Sequence, residues 1–89
     1  MTDARVTRTK SYRGISLRLA REYLVKLGGE AVAEDRIEGS GWTASLSAEK
    51  VSIGPTLQLT EVTVVFEGNT ETLEGLIPKF SQKAMRAGG

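Results

Sequence analysis

Hydrophobic spacing divides the chain into two helical stretches and a series of strand-like runs. Across Thr70 to Gly89, Leu73, Leu76, Ile77, Phe80, Ala84 and Ala87 fall on one side of a helix, and Glu71, Glu74, Lys79, Gln82 and Arg86 fall mostly on the other. A face that broad needs a surface to lie on. An earlier helix starts from Ser16, a suitable N-cap. Its Leu17, Leu19, Ala20, Tyr23, Leu24 and Leu27 cover one arc, opposite Arg18, Arg21, Glu22 and Lys26. Gly28-Gly29 stops it, with one glycine expected in the left-handed conformation that side chains disfavour.

The remaining runs read as strands. Val6 to Arg13 alternates weakly and carries charges suited to an edge. Ala31 to Ile37 is a short strand, and Glu38-Gly39-Ser40-Gly41 turns the chain. Trp42 to Ala48 alternates cleanly, with Trp42, Ala44, Leu46 and Ala48 against Thr43, Ser45 and Ser47, the period of a half-buried antiparallel strand. Glu49-Lys50 interrupts, Val51 and Ile53 follow, and Gly54-Pro55 turns again. In Thr56 to Glu67, Leu57 and Leu59 share one phase and Val62, Val64 and Phe66 the other. That slip near Thr60-Glu61 predicts a β-bulge or a bend. Gly68-Asn69 turns the chain and Thr70 caps the last helix. Pro78 inside it costs about 3 kcal/mol, so the helix either kinks there or begins its main part at Pro78.

The resulting order, β-α-β-β-β-β-α, predicts an α+β fold in a single domain over residues 1–89: an antiparallel sheet with both helices packed on one face. Trp42, Ala44, Leu46, Val62, Val64 and Phe66 supply that face, so Trp42 is expected between sheet and helices.

Composition changes this picture little. A chain of 89 residues buries roughly 60–68% of its unfolded surface, an adequate core. With 39% hydrophobic and 26% charged residues, extensive disorder is disfavoured. No apolar run approaches the ~20 residues a membrane span requires, and the N-terminus lacks a secretory apolar core, so a cytoplasmic protein is expected. Charge is more informative. Arg5, Arg8, Lys10, Arg13, Arg18, Arg21 and Lys26 crowd the first third, the middle is acidic, and Lys79, Lys83 and Arg86 make the end basic. If the termini meet in the fold, the molecule has a basic and an acidic pole that can steer a charged partner.

Candidate chemistry is sparse. Without cysteine or histidine there are no disulfides, thiolate sites or imidazole bases. Glu34, Asp35 and Glu38 lie close in sequence but lack calcium-loop spacing, and read as a solvated strand end. Serines and threonines have no candidate base, and the glycine pairs lack a phosphate loop's spacing and lysine. A non-enzymatic domain without cofactor or metal is expected. A basic third containing Tyr12 suggests nucleic acid. Against it, Trp42, Phe66 and Phe80 are needed in the core, and the open sheet face would carry Thr43, Ser45, Ser47 and Glu61 or Glu67, where carboxylates repel phosphate. Arg18, Arg21, Lys83 and Arg86 are better candidates for contacting a protein partner.

Gly88-Gly89 is the last signal. Such a pair is either a helix stop or a tail whose carboxylate is adenylated inside a narrow channel, as in ubiquitin-like proteins and sulfur carriers. Two free residues reach about 7 Å, and fraying from Met85 extends this to roughly 17 Å. The sulfur-carrier fold begins with a β-hairpin before its helix, whereas this chain begins with one strand.

The segments Gly28-Gly29-Glu30, Gly41 to Leu46, Leu59 to Val64 and Phe80 to Gly89 together resemble a small prokaryotic domain, the MoaD-related C-terminal domain. The resemblance covers nearly the whole chain. It implies a fold like half of the TATA-binding protein, a curved antiparallel sheet with two helices on one side. It also implies a setting in molybdopterin and sulfur-carrier metabolism, with an adenylating enzyme or a molybdopterin-synthase component as protein partner. The carrier domain is absent, so its role does not transfer with the resemblance.

Overall fold

The computed structural model describes residues 5–88. The elements run β1 (Arg5–Arg13), α1 (Leu17–Lys26), β2 (Glu30–Ala33), β3 (Arg36–Gly39), β4 (Trp42–Ser52), β5 (Gln58–Asn69) and α2 (Thr70–Gly88). All the strand pairs are antiparallel, in the spatial order β1-β5-β4-β3-β2. Ala20 and Leu24 from α1, and Leu73, Leu76, Ile77, Phe80 and Ala84 from α2, share one core with Ile37, Trp42, Ala44, Leu46, Val62, Val64 and Phe66. Both helices therefore cover the same face of the sheet. The expected α+β architecture holds, with β1 at an edge and Trp42 only 6% exposed.

Local chemistry explains the boundaries. Ser16 Oγ accepts from Leu19 N at 3.1 Å and caps α1. At the other end Gly28 takes φ +108°, its amide donates to Val25 O at 3.0 Å, and Gly29 N donates to Leu24 O at 3.0 Å. These bonds satisfy carbonyls that a helix end leaves open. Gly29 and Gly39 also make room for Trp42. A Cβ on Gly29 would stand 2.7 Å from Trp42 Cη2, and one on Gly39 would overlap the indole ring.

Four sequence expectations need correction. Residues 31–37 are not one strand: Glu34-Asp35 turns the chain, giving β2 and β3. No residue there has positive φ, so the turn forms without the glycine or proline that would have marked it. Conversely, Glu49-Lys50 does not interrupt β4, which continues to Ser52. The phase slip in β5 is not a bulge either. Its register with β4 runs unbroken from Trp42↔Gly68 to Ser52↔Gln58, whereas the pairing of β2 with β3 shifts between Ala31 and Ala33. Even-numbered β5 residues face the helices, while Leu59 belongs to the open face near the end of the arm that β4 and β5 form. Ala48 is exposed although it shares Trp42's phase: it lies beyond the end of β3, which pairs only with Trp42 to Ser45, while its partner Val62 on the other side is buried.

The last helix is capped by Asn69 rather than Thr70, since Asn69 Oδ1 accepts from Glu71 N at 3.0 Å. It passes through Pro78 as a single element. Proline leaves the Glu74 carbonyl without its intrahelical donor, and both residues are exposed, where water can replace that bond. The expectation that Ala87 faces the core lies outside the described side chains.

Candidate interaction surfaces

The helical layer carries the predicted contact residues, but it does not gather them into one cluster. Tyr23 of α1 meets Phe80 of α2 edge-to-face, with centroids 6.2 Å apart, and Lys83 Nζ lies 6.0 Å from the Tyr23 ring centroid. Leu27 shares a surface depression with Thr72 and Leu76, so the two helices run antiparallel. Arg18 and Arg86 are therefore at the same end of the layer, both exposed. Arg21 is occupied elsewhere. Its guanidinium donates to Glu34 O at 3.0 Å, tying α1 to the β2–β3 turn.

The open sheet face is a field of small hydroxyl side chains. Register places Thr9, Val65, Ser45 and Arg36 in one row across the sheet, and Ser11, Thr63 and Ser47 in the next. Ser11 Oγ and Thr63 Oγ1 are 3.3 Å apart. A further row brings Glu67, Thr43, Glu38 and Glu30 together, and Glu61 lies opposite Glu49. Arg13 Nε reaches Glu61 Oε2 at 3.0 Å. The two tyrosines, two phenylalanines and single tryptophan all lie in the layer between sheet and helices or against it. Among the described residues, the open face therefore presents hydroxyls and carboxylates rather than aromatic rings.

The two sheet edges differ in charge. β1 carries Arg5, Arg8, Lys10 and Arg13, whereas Glu30, Glu34, Asp35 and Glu38 lie at or next to β2. Tyr12 Oη bonds Ser81 Oγ at 2.7 Å and its ring meets Phe80 at 5.0 Å, joining the basic first strand to the basic last helix. The basic and acidic poles thus lie at opposite edges of the sheet. Burial raises the Tyr12 phenol above its ordinary value, and the Ser81 hydrogen bond opposes that shift. Beside β1, a groove of about 250 Å³ runs between the strand and α2, lined by Arg8, Lys10, Thr70, Leu73, Glu74, Ile77 and Pro78. Sequence reasoning did not find this groove. Register is what turns Arg8 and Lys10 to the helix side, opposite Phe66 and Val64.

Of the glycine pair, Gly88 closes α2 and Gly89 lies outside the described residues. A family model described as archaeal MoaD-like protein matches residues 8–89. The chain belongs to that family. The match begins within β1 and takes in every later element, so relation to MoaD-type proteins extends over the whole fold. A search of curated proteins gives no match. Among the described residues of this archaeal MoaD-like chain, no helix is long and apolar enough to cross a membrane. No group of three or more His, Cys, Asp or Glu among them could hold a metal ion.

Proposed function

We propose that this MoaD-like domain is non-enzymatic and acts through protein contacts, as an accessory to molybdopterin and sulfur-carrier metabolism. The observation that carries this reading is the family match over residues 8–89. The accessory reading, rather than the carrier itself, is supported by the family match and by the tail. A carrier tail must also enter its activating enzyme extended, whereas Gly88 is still helical, so activation would first unwind the last turn of α2. The partners expected are an adenylating enzyme or a molybdopterin-synthase component, in the cytoplasm.

Incubating the full chain with ATP and the MoaD-type adenylating enzyme of its host tests this by intact mass and by binding. The expected outcome is an unmodified mass, with association to that enzyme or to a synthase component that survives deletion of Gly89. An acyl-adenylate or thiocarboxylate at Gly89, lost in Gly88→Val, would overturn the reading in favour of an activated tail.

A further inference from the structure

We propose that β1 and the groove beside it bind an extended acidic segment of a partner protein, which adds to the sheet as a sixth strand. The backbone makes the first argument. Gly14 N donates to Thr60 O at 3.1 Å in the same register that pairs β1 with β5. Antiparallel pairing alternates, so even-numbered residues of β1 turn their amides and carbonyls to β5, and odd-numbered ones turn them outward. Asn69 N donating to Gly41 O gives β5 the matching phase: its odd residues face β4 and its even ones face β1. Thr7, Thr9 and Ser11 therefore offer N–H and C=O groups along a nine-residue strand without a bulge. Such an edge is a template for another chain.

The groove makes the second argument. Side chains of an added strand alternate between the two faces. Every second one would enter the groove over Leu73, Ile77 and Pro78, with Arg8 and Lys10 at its rim. The others would lie beside the hydroxyls of the open face. Apolar residues suit the floor and carboxylates suit the rim, while Glu74 disfavours a basic side chain there. A nucleic-acid strand could answer the charge of β1 but not its alternating backbone donors and acceptors. The β2 edge of a second copy has the right charge, but it is four residues long and irregular.

This inference deepens the protein-contact reading, yet the two fail separately. Peptide binding at β1 requires no molybdopterin-pathway protein, and such a protein binding at another face would leave β1 variants unaffected. The probe is a phage-displayed library of random peptides as long as β1, nine residues, selected on the full chain. Enriched peptides should carry both apolar or β-branched residues and Asp or Glu among the alternate positions that face the groove, with small polar residues between them. Thr9→Pro removes only an outward N–H, and Lys10→Glu reverses one rim charge. Each should weaken binding of the synthesised winners about tenfold, and N-methylation of alternate peptide amides should do the same. Amide exchange at Thr7, Thr9 and Ser11 should slow on binding. If Thr9→Pro proves unfolded, Lys10→Glu and the N-methylated peptides still decide. Failure to enrich any peptide, or winners that bind Thr9→Pro and Lys10→Glu as tightly as the parent, would sink the proposal. So would self-association that competes with the peptide, or displacement by single-stranded DNA that binds Thr9→Pro equally well.

Discussion

The two edges of this sheet solve the same problem unequally. β2 is short, irregular and acidic, and its Arg21-anchored turn holds it against α1. β1 is long and regular, and its cations discourage a like-charged strand from pairing with it. Shortness and irregularity blunt an edge toward every partner, whereas like charge blunts it only toward partners of the same sign. The difference leaves one edge closed and the other selective.

The largest expected effect falls on the closed side. Trp42 packs on Gly29 and Gly39 and links α1, β3 and β4, so Trp42→Ala should cost about 3–5 kcal/mol in denaturant unfolding. A cost below about 1 kcal/mol would mean that the β2 side does not depend on its aromatic anchor.

A pair of prolines sharpens the contrast on the open side. Lys10→Pro removes an amide directed at β5 and should destabilise by about 1–3 kcal/mol, whereas Thr9→Pro should be tolerated. Equal costs, read by thermal and urea unfolding, would show that β1 does not present its odd amides to solvent.

The smallest effect concerns the bond joining β1 to α2. Tyr12→Phe loses the hydrogen bond to Ser81 and should cost about 1 kcal/mol at neutral pH. Because burial raises the Tyr12 pKa above 10.0, the folded state holds the phenol proton more tightly than the unfolded state. Stability from this group is intact below pH 10.0 and is lost as pH rises through the folded value. Urea titrations from about pH 9 to about pH 11 should therefore show a steeper decline in the parent than in Tyr12→Phe. Parallel declines would mean that Tyr12 is as solvated when folded as when unfolded.

Much of this was legible from period alone. The buried stripes of α1 and α2, the glycine stop at Gly28 and the alternation of Trp42, Ala44 and Leu46 each report a local choice that packing endorses. The misreadings came where polarity and geometry part company. Leu57 precedes β5 and Leu59 lies on the open face opposite Val51, so their shared phase was not that of the buried residues Val62, Val64 and Phe66. Glu34-Asp35 turned the chain with neither glycine nor proline, and Asp alone is a weak turn signal. The groove was hidden because it depends on which β5 residue each β1 residue opposes. Arg8 and Lys10 looked like any edge charges until Phe66 and Val64 were known to stand opposite them. Arg21, singled out on charge alone, also ties α1 to the β2–β3 turn through Glu34 O, a structural role that charge does not reveal.

The pairing of β1 with β5 also has a consequence in time. Ser11 and Thr63 are 52 residues apart, whereas β4 and β5 are joined by a short loop closed by Ile53 N to Leu57 O at 2.7 Å. The hairpin closes a small loop and the first strand a large one, so chain entropy delays β1. It is synthesised first and paired late, waiting for nearly the whole domain to follow it. Through that interval the charges of Arg5, Arg8, Lys10 and Arg13 work against aggregation of a β-prone segment, and the same charges remain on the finished edge.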